Sequence, residues 1–301
     1  MNSKQMLRKG TLLALTASII WGISGTVMQF VAQSTSVPAT WFIGTRTLIT
    51  GIILLLIVFF KNGRQQFFRI FKNKKSVVLL ILFSLLGLLG NLYTFFYSVQ
   101  LGNSAAATIL QYLSPLFILL GTLIFMHKIP SKVDLISFGI ALIGVFLLIT
   151  QGNIHHLVIP FAAFIWGILS GLTAAFYVVF PKLLVEMDFD PVEVTGWGMF
   201  LSGIISQFIR PIWQLPPHFT LSAAMGVGTI ILLGTLLAFL IMITATKYVS
   251  SAIVSITDAA QPFVTFILSI IFLQAHFSIA EVIGACLVVI SIYILNRFSE
   301  E

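Results

Sequence analysis

Apolar runs at approximately residues 11–32, 39–60, 76–98, 103–126, 132–150, 157–181, 191–212, 221–246, 251–273 and 278–296 take up almost the whole chain. Each approaches the about 20 apolar residues that carry a helix across a bilayer core. In hydrocarbon every backbone N–H and C=O must find a partner within the protein, and a helix supplies one from its own segment. Soluble domains average about 25% charged residues. This chain has 8%, with 58% hydrophobic residues and a mean hydropathy of +1.08. These features exclude a soluble enzyme. They predict an all-α polytopic membrane protein of ten transmembrane helices.

Residues 103–148 and 250–295 read as one passage written twice. Asp134 follows Pro115 by nineteen residues, and Glu281 follows Pro262 by nineteen. A shift of 147 lays Ser131-Lys132-Val133-Asp134 on Ser278-Ile279-Ala280-Glu281, and Ile165-Trp166-Gly167 echoes Ile20-Trp21-Gly22. Two five-helix repeats are predicted, over residues 11–150 and 157–297. An odd number of spans per copy turns the second copy upside down. Inverted repeats around a midplane site are a common architecture of carriers.

Charge sets the orientation. Residues 1–150 hold twelve Lys/Arg and one acid, whereas residues 151–301 hold four Lys/Arg and eight acids. Basic residues collect on the cytoplasmic side. With both termini cytoplasmic, fourteen of the sixteen fall there; Arg46 lies within a span and Arg210 at the outer surface. The net charge of +7 therefore reports topology, and no nucleic-acid partner is expected. Segment 61–75 interleaves aromatics with cations. It reads as a topology anchor in which Phe67, Phe68 and Phe71 dip into the interface beside anionic headgroups. The first span exceeds a signal-peptide core of about 7–15 residues and is expected to be retained. Cys286 is the sole cysteine, so no internal disulfide can form.

Charged groups at membrane depth are rare, and function is their default reading. Glu186, Asp188, Asp190 and Glu193 belong to the connection after the sixth span or its edge, and Glu300 and Glu301 end the chain. Asp134 and Glu281 each follow a serine by three residues at a span start, the spacing of a capping box. Asp258 remains. It lies about seven residues into its span, about 10 Å from the cytoplasmic edge, and four residues before Pro262. Proline cannot donate to the carbonyl four residues back, and its ring clashes there. The matching residue of the first copy is Gln111, four before Pro115, and Gln261 adds an amide beside Pro262. Gln111, Asp258 and Gln261 are candidate substrate-binding or coupling residues, with Pro115 and Pro262 as helix-kink residues. Burial favours the neutral form of a carboxylate, which suits a site for a proton or a cation. The competing account is helix–helix hydrogen bonding.

Arg46 is the other charge within a span. Its fork fits a carboxylate or phosphate, or it snorkels outward as an anchor. Its depth differs from that of Asp258 by about 9 Å, which disfavours a direct pair. Asn91, Tyr93, Tyr97, Trp21, Trp166 and Tyr177, with Ser170 and Thr173, are further candidates for the same cavity. Tyr93 and Tyr97 share a helix face and would box an amine, although Tyr and Trp also serve as interface anchors. Gly167 and Gly171 mark close helix packing. His155-His156 lack the further ligands of a metal site, and no Gly-Lys-Ser/Thr phosphate cradle occurs. No metal, cofactor or ATP-driven step is expected.

Trp21-Gly22 and Trp166-Gly167 open the two halves, Pro115 and Pro262 mark the fourth span of each, and Asn103-Ser104-Ala105-Ala106-Ala107 and Ser250-Ser251-Ala252 begin those spans. In this ordered doubling the chain resembles the EamA family of the drug/metabolite transporter superfamily. The resemblance implies inverted five-helix repeats, a central cavity and transport of amino acids, other metabolites, amines or nucleotide-linked sugars, many members being exporters. Members often carry a glutamate at the end of the fourth and ninth spans. Here those stretches read Met126-His127-Lys128 and Gln274-Ala275-His276, so no role of that glutamate carries over. The expected protein is a multi-pass transporter of the bacterial plasma membrane. It exports a small polar metabolite such as an amino acid or amine by alternating access, with protons as the candidate coupling ion. It would act as a monomer or homodimer, with the lipid bilayer and a small-molecule substrate as partners. Export of lipophilic cations or drugs is the alternative within transport; an intramembrane enzyme or scaffold is the alternative of another class.

Overall fold

The computed structural model describes residues 3–127, 129, 131–153, 157–216, 218–249, 251–258 and 260–298. Among the described residues every regular element is helical. Helix α1 is Ser3–Ser34 and α2 is Ala39–Phe67, turned out of helical geometry at Gly63 (φ 73°). A 3-10 turn, Arg69–Lys72, leads into α3, Lys74–Leu101. Helix α4 consists of Ser104–Gln111 and Ser114–Met126, and α5 is Lys132–Thr150. Then follow α6 (Phe161–Val185), α7 (Pro191–Ile209) and α8 (Leu221–Ala245). Helix α9 consists of Ser251–Asp258 and Ala260–Leu273, and α10 is Ile279–Phe298. Among the described residues, α1 to α8 are long and apolar enough to cross a membrane, while Ala260–Leu273 and Ile279–Leu295 are apolar but shorter.

The ends of the helices follow from local chemistry. Ser131 Oγ accepts from the Asp134 N–H (3.2 Å) while Asp134 accepts from the Ser131 N–H (2.7 Å). Ser278 and Glu281 repeat the exchange at 3.2 and 2.8 Å, as the spacing predicts. Glu281 also accepts from Gln151 Nε2 (2.8 Å), tying the start of α10 to the end of α5. The outside is apolar: Phe60 is 81% exposed, Phe125 81% and Phe208 87%. Burying one such side chain is worth about 1.5–3 kcal/mol, so these faces belong against acyl chains.

Two kinds of departure from a plain α-helix occur. Pro115 was expected to kink a continuous fourth span. Instead α4 divides at Tyr112-Leu113, with Pro115 in the first turn of the second segment, because a proline leaves the Gln111 carbonyl without its donor. In mid-helix, α3 and α8 widen into π-helical turns at Phe83–Gly90 and Ile230–Leu237. These turns lie 147 residues apart, the shift that also relates Pro115 to Pro262. A widened turn shifts every later side chain around the helix axis, and such turns recur at functional sites.

Helix α2 packs along α7 and α5 along α10, while α1 lies against α8 and α9, and α6 against α3 and α4. Exchanging each helix for the one five places along the chain reproduces this set of contacts. A Cβ on Gly167 would crowd the Leu110 side chain, so α4 and α6 approach closely at this glycine's face. The aromatics of segment 61–75 gather on one neighbour, while Phe68 and Phe71 stay exposed. Phe67, Phe68 and Phe71 surround Trp197, with ring centroids 4.9, 6.0 and 4.7 Å away. Trp197 Nε1 donates to the Phe67 carbonyl (3.1 Å). The rings gain apolar burial from a neighbouring helix.

Candidate functional site

The broken and widened helices converge on a cavity of about 1190 Å³. Its wall takes Trp21 from α1, Arg46 from α2, Asn91 from α3, Gln111 and Pro115 from α4, Tyr177 from α6, and Asp258 and Gln261 from α9. Tyr93, Tyr97, Trp166 and Pro262 are not part of it. Tyr97 stacks against Tyr93 (centroids 6.4 Å) and Trp166 (5.2 Å). The expected box for an amine is therefore closed by its own rings, away from the cavity. Pro262 is buried inside α9 and contributes shape.

The cavity is blind at one end. Its wall reaches Ile129, which is 90% exposed, together with Ser131 and Asp134 at the start of α5 and Thr246 just beyond α8. In the other direction it stops at Met28 on α1, Phe95 on α3 and Thr108 on α4. None of the lining comes from the first turns of α8 or α10, or from the last turns of α1 and α3.

Arg46 is held by the widened turn of α8. Its Nε donates to Thr235 Oγ1 (2.8 Å), and that hydroxyl donates in turn to the Ile230 carbonyl (2.8 Å) across the enlarged ring. One edge of the guanidinium is thus fixed. Among the described residues, its terminal nitrogens have no hydrogen-bond acceptor, and the side chain lines the cavity. A planar fork presented this way fits a carboxylate or phosphate in two-point contact.

Asp258 lies in the helical stretch Ser251–Asp258 of α9, four residues before Pro262. Ser18 Oγ lies 3.1 Å from its Oδ1 and 3.1 Å from the Ala14 carbonyl. A hydroxyl has one proton, so Ser18 serves one acceptor at a time. Among the described residues no ion pair joins Asp258 to Arg46, as their depths predict. Tyr177 lies within electrostatic reach of both. Two opposite charges thus face one cavity without neutralising each other.

Gln111 is braced more than the sequence implies: its Nε2 donates to Asn91 Oδ1 (2.8 Å) and Ser170 Oγ (3.1 Å), joining α4 to α3 and α6. It serves helix packing and the cavity wall together. Ser18 and Thr235 were missed, because a lone hydroxyl in an apolar run carries no periodic signal. Glu193, set aside with the acids of the connection, is 3% exposed in the first turn of α7. It lies outside the cavity wall. Among the described residues no three of His, Cys, Asp and Glu gather as metal ligands; His155 and His156 lie outside the described residues.

A multi-pass helical membrane protein enclosing a one-ended cavity, apolar for the most part but carrying Arg46 and Asp258, has the form of a carrier. Residues 8–150 and 161–297 each match the EamA-like transporter family, and the chain belongs to that family. Membership makes it a membrane transporter rather than an enzyme. It is 30% identical over 292 residues to the uncharacterised inner membrane transporter YicL of Salmonella typhimurium, spanning 96% of this chain and 95% of that one. It is 25% identical over 225 residues to the uncharacterised inner membrane transporter YhbE of Escherichia coli K12, spanning 70% and 68%. A crystal structure of a protein 16% identical in sequence aligns over 95% of both chains with a TM-score of 0.62, a likeness of fold.

Proposed function

We propose that this chain is a secondary carrier that exports a small polar metabolite, an amino acid or amine, across the plasma membrane by alternating access. The observation that carries the reading is the pair of opposite charges, Arg46 and Asp258, on one cavity wall without an ion pair between them. A carboxylate and an ammonium group on one substrate would meet them in turn. Two inverted repeats, residues 11–150 and 157–297, supply the alternation. The double family match, the paired widened turns and the exchange symmetry of the helix contacts support that reading. Both termini face the cytoplasm, in keeping with the bias of basic residues, and the cavity then opens inward as it would for loading an export substrate. The inner-membrane relatives agree with the location.

Asp258 is the proposed coupling site. Its carboxylate meets Ser18 at one oxygen, and among the described residues the other has no hydrogen-bond partner and can take up a proton or an ammonium group. Purified protein in proteoliposomes tests this. Asp258→Asn is expected to lower flux by about 10-fold or more, the scale of one lost charged contact, and to flatten its pH dependence. Transport and pH profile both intact would remove Asp258 from coupling and from essential binding. Export of lipophilic cations is the second reading, favoured by Trp21, Phe95 and Phe239 in the wall around the lone deep carboxylate. Competition between a drug cation and amino acids in one flux assay separates the two. A thermal-shift screen of amino acids, amines, nucleosides and sugar phosphates would narrow the substrate.

A further inference from the structure

The blind end of the cavity is closed by polar groups. Gln29 follows Met28, the last cavity residue of α1, and is only 8% exposed. Its Oε1 accepts from both the backbone N–H (2.8 Å) and the hydroxyl (2.7 Å) of Ser104, the first residue of α4. Its Nε2 donates to Gln33 Oε1 (3.1 Å). One turn on, Gln33 Nε2 lies 2.8 Å from the Gly102 carbonyl and 2.9 Å from that of Val99, at the corner between α3 and α4. The Ser104 hydroxyl also sits 3.3 Å from Ser269 Oγ of α9.

These groups join α1, α4 and the second segment of α9 just beyond the cavity, and the same three elements carry Trp21, Gln111 and Gln261 in its wall. The network is uncharged. When water enters, each of its bonds is replaced by one to water, so parting it costs little net free energy. In a dry contact the same groups would be costly to leave unmade. Closed, the seam is held; wetted, it is released. An apolar contact would lack that reversibility, and a buried ion pair would cost far more to separate.

We propose that Gln29, Gln33 and Ser104 form the latch that shuts the far side of the carrier, and that transport requires it to part. This rests on the alternating-access reading above. In a Cys286→Ala background, Met28→Cys reports from just beneath the latch and Thr246→Cys from the mouth. A membrane-impermeant maleimide is applied to the side opposite that from which Thr246→Cys reacts. Labelling of Met28→Cys is expected to be slow, and to rise about 10-fold when Gln33→Ala shifts the population toward the far-side-open state. Gln33→Asn, which keeps the amide but shortens its reach, should act in the same direction. Unchanged labelling in both variants, with Thr246→Cys still reacting normally, would overturn the latch. An inverted orientation would appear at Thr246→Cys alone, leaving the Met28→Cys comparison valid. Faster labelling without any solute flux would sink the carrier reading and retain the latch.

Discussion

At the scale of single residues, Arg46 and Asp258 differ in how they are held. Arg46 is fixed through Nε by Thr235, which leaves its terminal nitrogens for an anion. Lysine could not reproduce that arrangement, because a point charge has no second edge to anchor. Charge-assisted hydrogen bonds are worth about 1.5–3 kcal/mol. Arg46→Gln should therefore weaken an anionic or zwitterionic substrate about 10- to 100-fold while leaving a simple amine little changed, as measured by competition in proteoliposomes. Equal loss for both classes would make Arg46 a structural residue. Asp258 was legible because it stands alone at depth, four residues before a proline. Its partner Ser18 was not, since the contact spans 240 positions and nothing local announces it.

Among the elements, the division of α4 was readable and the widened turns of α3 and α8 were not. Proline declares its effect in sequence: it lacks a donor and blocks a carbonyl, so the division of α4 at Tyr112-Leu113 follows from Pro115. The capping boxes of α5 and α10 were equally plain, being three-residue chemistry. A widened turn has no such signature. Phe83–Gly90 and Ile230–Leu237 are leucine- and glycine-rich runs that would serve any apolar helix, and their geometry comes from the helices around them. Packing of α5 on α10 gives a sharper test. A Cβ on Gly144 would lie 2.7 Å from the Gly284 carbonyl oxygen, whereas one on Gly121 meets nothing within 4 Å. Gly144→Val should destabilise the protein by about 1–3 kcal/mol through overpacking. Gly121→Ala should be neutral or stabilise it by up to about 1 kcal/mol through helix propensity. Thermal unfolding in detergent would compare them, and similar behaviour would mean that the α5–α10 contact tolerates a side chain.

For the whole molecule, the helix contacts map onto themselves between the halves, and the cavity takes its lining from helices of both. Orientation is a separate matter, and the proposed cytoplasmic placement of both termini rests on the fourteen basic residues that it puts on one side. Epitope tags at either terminus should resist protease added to intact cells and become sensitive once the membrane is opened; digestion from outside would reverse the topology. The sequence by itself determined that this chain lives in a membrane, that its two halves share one pattern and that a deep carboxylate stands four residues before a proline. Hydropathy, repeated spacing and proline chemistry are properties of residues in order along the chain. Only the tertiary structure decided that Thr235 aims Arg46, that Tyr93, Tyr97 and Trp166 stack away from the cavity, and that Gln29 and Gln33 close its far end. Those outcomes depend on which helix faces which, and packing between distant segments sets that.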